Sequence, residues 1–363
     1  MRARPMNFGL TSEQEELRNS ARKFLELECP TSLVRQAEET GAGHSPELWQ
    51  KMAELGWLGI CLPQQYGGSD RPFPDQAVLF EEIGRALVPG PLLTSSVLAA
   101  LIILHGGNDR QKQDLLPGMI TGDIILTLAR GERLETSSQS GGLVLSGESS
   151  FVRHAGLANQ IICATRPAIG AWPDTTLVLV DRGVKEVIVT GMESIANYPQ
   201  YMVEFDDFAL SDDAVLGEIA EGRVALELAI QRATVIQCAE TLGRSQKVLE
   251  MVVEHANNQQ GIATSQSIQH RCADLKVALD AGRLLTYQAA WKLEQGLPAS
   301  EEISMAKAQS GTLSRLASMT GHSIFGDIAI TVEHDMQLYS SRAKLAEANL
   351  GDTEYHLDQL IAN

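Results

Sequence analysis

The hydrophobic period of this chain changes twice along its length, which restricts the fold to a helical part, a β part and a second helical part in that order. From Thr11 to about Gly122 apolar residues return every three or four positions. Thr11 with Gln14 has the form of a capping box, in which each side chain satisfies an orphan backbone N–H of the first turn. Ser45-Pro46-Glu47 marks another start, with proline where its missing N–H costs nothing. Turn signals stand at Gly67-Gly68, Pro89-Gly90-Pro91 and Gly106-Gly107. After Gly122 the runs 160–165, 176–180, 186–189 and 201–205 are short, rich in β-branched residues and separated by Gly, Pro, Asn and Asp. That spacing predicts a small antiparallel sandwich or barrel. Helix period returns over 221–258, 263–295, 300–325 and 333–361, with breaks at Gly261 and Leu297-Pro298, and so predicts a four-helix bundle. The expected fold class is mainly α with a β domain, divided 6–122, 123–217 and 218–363.

The 363 residues suffice for two or three packed units. A formal charge of −17 without a long basic run argues against a nucleic-acid partner, whose backbone demands clustered Lys and Arg, and against an anionic membrane surface. The longest strongly apolar run, Val97 to Leu104, is too short to cross a bilayer, and no apolar stretch of a signal peptide follows the basic Met1-Arg2-Ala3-Arg4-Pro5. Cys29, Cys61, Cys163, Cys238 and Cys272 are far apart and in no CxxC spacing, so buried thiols in a reducing compartment are expected rather than disulfides or a metal site. A soluble, cytoplasmic protein is the expectation.

Specific text then narrows the family. The first part holds Leu48-Trp49, Ala53-Glu54-Leu55-Gly56-Trp57-Leu58-Gly59-Ile60, Leu62-Pro63-Gln64-Gln65-Tyr66-Gly67-Gly68, Glu81-Glu82-Ile83-Gly84-Arg85 and Leu116-Pro117-Gly118-Met119-Ile120-Thr121-Gly122. The middle holds Gly147 with Phe151-Val152, Leu179-Val180-Asp181 and Phe205-Asp206-Asp207 with Leu216-Gly217. The end holds Gly326-Asp327, Thr331-Val332-Glu333-His334, Ser341-Arg342-Ala343-Lys344 and Leu350-Gly351-Asp352-Thr353. In this order, over almost the whole chain, the text resembles the acyl-CoA dehydrogenases. Most of these residues are equally at home as packing and turn positions, so they speak for the fold more than for the chemistry.

The resemblance implies removal of an α proton from an acyl-CoA thioester and transfer of a β hydride to FAD, with an electron-transfer flavoprotein as acceptor. Such a reaction needs a carboxylate base and hydrogen bonds to the thioester carbonyl. The positions where the family places its base hold Leu350 and Ala233, which cannot accept a proton. Glu240 and Asp352 are the nearby acids, although an ion-paired helix face and a helix cap are their plainer readings. In the family an Arg-x-Gln-Phe-Gly motif and a Gln-x-x-Gly-Gly motif of a neighbouring subunit grip the flavin diphosphate. With Gln266-Ser267-Ile268-Gln269-His270 as anchor, His255 stands at the arginine, Asn257 at the glutamine and Asn258 at the phenylalanine, while Ser323 and Asp327 replace the Gln and second Gly of the other motif. An arginine's permanent charge and planar fork are thereby lost. The resemblance also marks Gly131, Phe151, Val152, Gln266, Gly326 and Asp352 as cofactor-side positions; no metal is implied.

Three readings follow. The chain is the non-catalytic member of a heteromeric (α2β2) dehydrogenase whose sister chain carries base and flavin, and the ends Ser341-Arg342-Ala343 and Leu350-Gly351-Asp352 look like the two-gene enzymes of bacterial steroid side-chain breakdown, implying a bulky acyl-CoA. Alternatively it is a self-sufficient dehydrogenase with a relocated base, or an acyl-CoA-binding or scaffold protein without redox chemistry.

Overall fold

The computed structural model describes residues 9–41, 43–139, 142–167, 175–194, 198–259 and 263–362. The Gly261 break and the basic stretch at Met1-Pro5 lie outside them. Helices come first: α1 (Ser12–Glu28), α2 (Thr31–Glu39), α3 (Pro46–Glu54), α4 (Phe73–Arg85), α5 (Ala100–Gly106) and α6 (Asp109–Thr121). Six strands follow: β1 (Leu126–Gln139), β2 (Gly142–Arg153), β3 (Gln160–Pro167), β4 (Thr176–Asp181), β5 (Val187–Met192) and β6 (Gln200–Ala209). The chain ends in α7 (Arg223–Asn258), α8 (Gln266–Glu294), α9 (Ser300–Phe325), α10 (Met336–Ala348) and α11 (Thr353–Ala362). The helical, β, helical order is the one the period predicts. Thr11 and Gln14 form the reciprocal capping box, Ser45 caps α3 with proline at its start, and Gly122 closes α6 at φ 84 in the left-handed region that glycine reaches without strain.

The chain forms two compact units. One comprises 1–35, 72–88 and 234–363, the other 36–71 and 89–233. Compactness therefore cuts across the first of the sequence segments, because α1 and α4 pack with the C-terminal helices. In this helical unit α4 lies against α1 and α8, while α8, α10 and α11 lie against α9. The charged side of α4 is satisfied from three helices: Glu82 takes Arg22 at 2.7 Å, Glu81 takes Arg283 at 2.5 Å, and Arg85 takes Glu250 at 2.6 Å. Glycines set how closely α4 and α7 approach. A Cβ on Gly243 would lie 2.7 Å from the Glu81 carbonyl carbon, and one on Gly84 would lie 2.6 Å from that of Glu240. The last expected helix is two, α10 and α11, with the chain turning between them at Leu350 (φ 58) and Gly351 (φ 90).

The other unit is built around one sheet of order β4-β3-β1-β2-β6-β5. It is antiparallel except where β1 runs parallel to β3, with Leu126 opposite Gln160, Arg130 opposite Ala164 and, beyond a register shift, Thr136 opposite Pro167. β1 has β3 along one edge and its hairpin partner β2 along the other. Inward-facing Leu134, Leu145, Val152, Ile161, Val178, Val203 and Phe205 form the core of the sheet. Among the described residues no helix is long and apolar enough to cross a membrane. Cys29, Cys163 and Cys238 are buried thiols, and Cys61 and Cys272 are half-buried.

Candidate active site

Leu350, at the position where an acid is expected, sits in a turn that the helical unit holds from three sides. Lys307 of α9, only 1% exposed, donates from Nζ to the carbonyls of Ala346 (3.1 Å), Glu347 (3.1 Å) and Gly351 (2.7 Å). An ammonium there closes the orphan carbonyls of α10 and meets the negative end of its dipole. Burial pushes the pKa of Lys307 down, with Glu347 and Asp352 opposing. His356 Nε2 lies 2.9 Å from the Leu350 carbonyl, and since a carbonyl only accepts, this nitrogen carries the hydrogen. Asp352 is exposed and caps α11, its Oδ1 accepting from Tyr355 N at 2.9 Å. The turn is fixed by main-chain acceptors, and the side chain at 350 contributes no proton acceptor.

The other base positions lie on α7. Ala233 is fully buried, and its methyl has no acid-base chemistry. Glu240 is half-buried and paired with Arg244 Nη1 at 3.1 Å, while Arg244 Nη2 donates to Thr241 Oγ1 at 2.8 Å. Its carboxylate is thus committed to a neighbouring guanidinium on the same helix.

The positions expected to grip a diphosphate gather in part at the ends of α7 and α9. His255 lies edge-on to Phe325 with ring centres 4.7 Å apart, and Phe325 leans on His334 at 4.5 Å. His334 Nδ1 accepts from Met336 N at 3.1 Å. Its pKa is pushed down by burial first; Asp335 opposes, and His255, Arg35 and His322 add to the effect. Arg35 is committed to Asp335 at 2.7 Å and to the carbonyls of Val332 and Glu333. Gly326 turns the chain at φ 66, ψ −142, a conformation reserved for glycine, and Ser323, Asp327, Asn258 and Gln266 are exposed. These donors are a poor match for a diphosphate: Asp327 brings a carboxylate, His334 Nδ1 already accepts from Met336 N, and Arg35 is already paired. Beside them Ile328, Ile330 and Val332 are 53, 69 and 71% exposed.

In the β-containing unit two of the sheet's register shifts lie beside Gly131 and Phe151. The β1–β3 register shifts between Arg130 and Glu135, and the β2–β6 register shifts between Ser149 and Val152. Bulges of this kind re-aim side chains and recur beside active sites. The second turns Phe151 outward at φ 61 with 64% of its surface exposed, a strained conformation for an aromatic residue. Val152 is a core residue opposite Tyr201. Gly131 is exposed, and a Cβ there would meet the Glu148 carbonyl only at 3.7 Å, so space does not dictate the glycine. Four residues that motif reading passes over are Lys307, His356, Phe325 and His154. His154, buried at φ 56, has its Nδ1 3.2 Å from Thr94 Oγ1. Their one sequence signal is a lone Lys307 between alanines. No group of three or more His, Cys, Asp or Glu among the described residues could hold a metal.

Two family models match, "Acyl-CoA dehydrogenase, N-terminal domain" over residues 11–123 and "Acyl-CoA dehydrogenase, C-terminal domain" over 220–363. The chain is 25% identical to the acyl-CoA dehydrogenase IpdE2 of Mycolicibacterium smegmatis, over 97% of this chain and 99% of that protein. Among solved structures it resembles the ChsE4-ChsE5 complex from Mycobacterium tuberculosis, with TM-score 0.91, 22% identity and 98% of each chain covered. It also resembles the Tcur3481-Tcur3483 steroid ACAD, with TM-score 0.86, 24% identity, and 96% of this chain and 97% of that one covered.

Proposed function

This chain belongs to the acyl-CoA dehydrogenase family of FAD-dependent oxidoreductases, and we propose that within it the chain is the non-catalytic subunit of a heteromeric enzyme. The observation that carries the proposal is the Leu350 turn. Lys307 and His356 hold the backbone, and the side chain at the family's base position has no ionisable group. Desaturation needs the α proton removed, and a positioned general base is worth about two to four orders of magnitude. Glu240 is tied to Arg244 and Asp352 caps a helix, so neither is poised to replace it. The sister chain of an α2β2 assembly then supplies the carboxylate and a full set of phosphate donors. FAD supplies the hydride acceptor when bound, and an electron-transfer flavoprotein reoxidises it. On this chain Phe151 presents an exposed aromatic face on the flavin side, with Gly131 beside it, while His255, Asn258, Ser323 and Asp327 form the weaker grip offered to a neighbour. The likeness to a complex of two different chains and to a steroid dehydrogenase supports a bulky, steroid-derived acyl-CoA as substrate.

The test is flavin per chain after gel filtration, with desaturation measured on the same fractions. The isolated chain should retain little FAD and show little turnover, and co-expression with its sister should give fewer flavins than chains. Adding a bidentate donor and removing a carboxylate, as in His255→Arg with Asp327→Gly, should raise flavin retention. One FAD per chain in the homo-oligomer, with turnover abolished by Glu240→Gln, would establish the self-sufficient enzyme instead. Acyl-CoA binding without flavin or turnover in any assembly would establish the scaffold.

A further inference from the structure

The helical unit contains a polar cavity of about 490 Å³ walled by α1, α4, α7 and α8, and one charged side chain in its wall lacks the ion-pair partner that the others have. Arg22 is held by Glu82 at 2.7 Å, Arg283 by Glu81 at 2.5 Å, Glu250 by Arg85 at 2.6 Å and Asp280 by Lys276 at 2.5 Å. The Tyr287 hydroxyl donates to Glu81 at 3.1 Å. Arg18 is the exception. Half-buried in the same wall, it makes no hydrogen bond or ion pair with any described residue, and its Nε is closed off from solvent without an acceptor. A guanidinium is permanently charged and its N–H groups can only donate, so the cavity wall holds a planar donor fork without an acceptor. Leu10 and Leu284 add apolar surface to the same wall.

We propose that this cavity binds a small monocarboxylate with a short apolar body, the carboxylate on Arg18 and the body against Leu10 and Leu284. One guanidinium without a counter-ion matches one carboxylate, whose two oxygens fit its fork. A phosphate, with close to two negative charges, would instead confront the carboxylates of Glu81, Glu250 and Asp280. The proposal is independent of the desaturation reading.

The experiment is calorimetric titration of the full-length chain, in the assembly in which it purifies, with hexanoate, inorganic phosphate and hexylammonium at equal ionic strength. Hexanoate should bind saturably with a Kd of roughly millimolar or below. It should weaken at least tenfold in Arg18→Met, which keeps the aliphatic stem, and less in Arg18→Lys, which keeps the charge. Circular dichroism establishes that each variant folds, and Arg18→Lys keeps the test open should the Met variant fail to fold. No saturable hexanoate binding, equal binding by Arg18→Met, or tighter binding of phosphate or hexylammonium would each overturn the proposal.

Discussion

Replacing Gly243 by alanine should cost this protein far more than one methyl group ordinarily does. The new Cβ would overlap the carbonyl oxygen of Glu81, with that carbonyl's carbon 2.7 Å and the amide nitrogen of Arg85 2.8 Å away. Both neighbours are backbone of α4, so no side chain can rotate away. The helices must part, loosening the buried Leu79, Ile83, Ala239 and Leu242. Alanine's better helix propensity returns about 1 kcal/mol. Overpacking usually costs about 1–3 kcal/mol, and more when the obstacle cannot relax, so a net loss of about 2–4 kcal/mol is expected. Gly84→Ala is the reciprocal change, its Cβ lying 2.6 Å from the Glu240 carbonyl carbon and 2.8 Å from the Glu240 Cα. Because both variants separate the same pair of helices, the double variant should lose less than the sum of the singles by about 1 kcal/mol or more. Urea denaturation followed by circular dichroism, at fixed protein concentration, measures all four proteins. Either single variant within about 0.5 kcal/mol of wild type, or strict additivity, would refute the close approach of α4 and α7.

Lys307→Met removes the donor for three carbonyls, each worth about 1–3 kcal/mol if left sealed, but also removes a buried charge; the net loss should be about 2–4 kcal/mol in the same denaturation assay, with Lys307→Arg intermediate. His44, His334 and His356 all have pKa values lowered by burial, so the unfolded chain takes up protons first, and the stability they confer is full above the ordinary value of 6.5 and is lost as pH falls through the folded values. The unfolding midpoint should therefore drop from pH 7 to pH 5, and His356→Gln should flatten part of that slope. Phe151→Gly relieves a left-handed φ at an exposed site and should stabilise the chain by about 1 kcal/mol, read as a raised thermal midpoint.

Local signals were legible where local chemistry decides. Thr11 with Gln14, Ser45 before Pro46, and Gly122 after Thr121 each mark a helix end because capping and left-handed backbone are properties of a few adjacent residues. The division of the last helix was not legible from apolar period, which continues from 333 to 361. Gly351-Asp352-Thr353, a helix stop followed by a cap, is the signal that outranks the period there. The parallel pairing of β1 with β3 brings Leu126 opposite Gln160 across the intervening hairpin, information that no short window of sequence holds. At the site, the positions lacking a base could be named from motif text. The Lys307 clamp could not, because its acceptors are main-chain carbonyls about forty residues away, present in any sequence.

The frame around residue 350 is assembled from main-chain carbonyls, a lysine, a histidine and a glycine, and none of its bonds passes through the side chain at that position. The frame therefore holds whatever side chain stands there, the left-handed φ of residue 350 costing leucine and glutamate alike. On the function proposed above, exchange of an acid for leucine in such a frame would leave the fold standing, so competent and silent forms would differ at one codon while sharing one architecture.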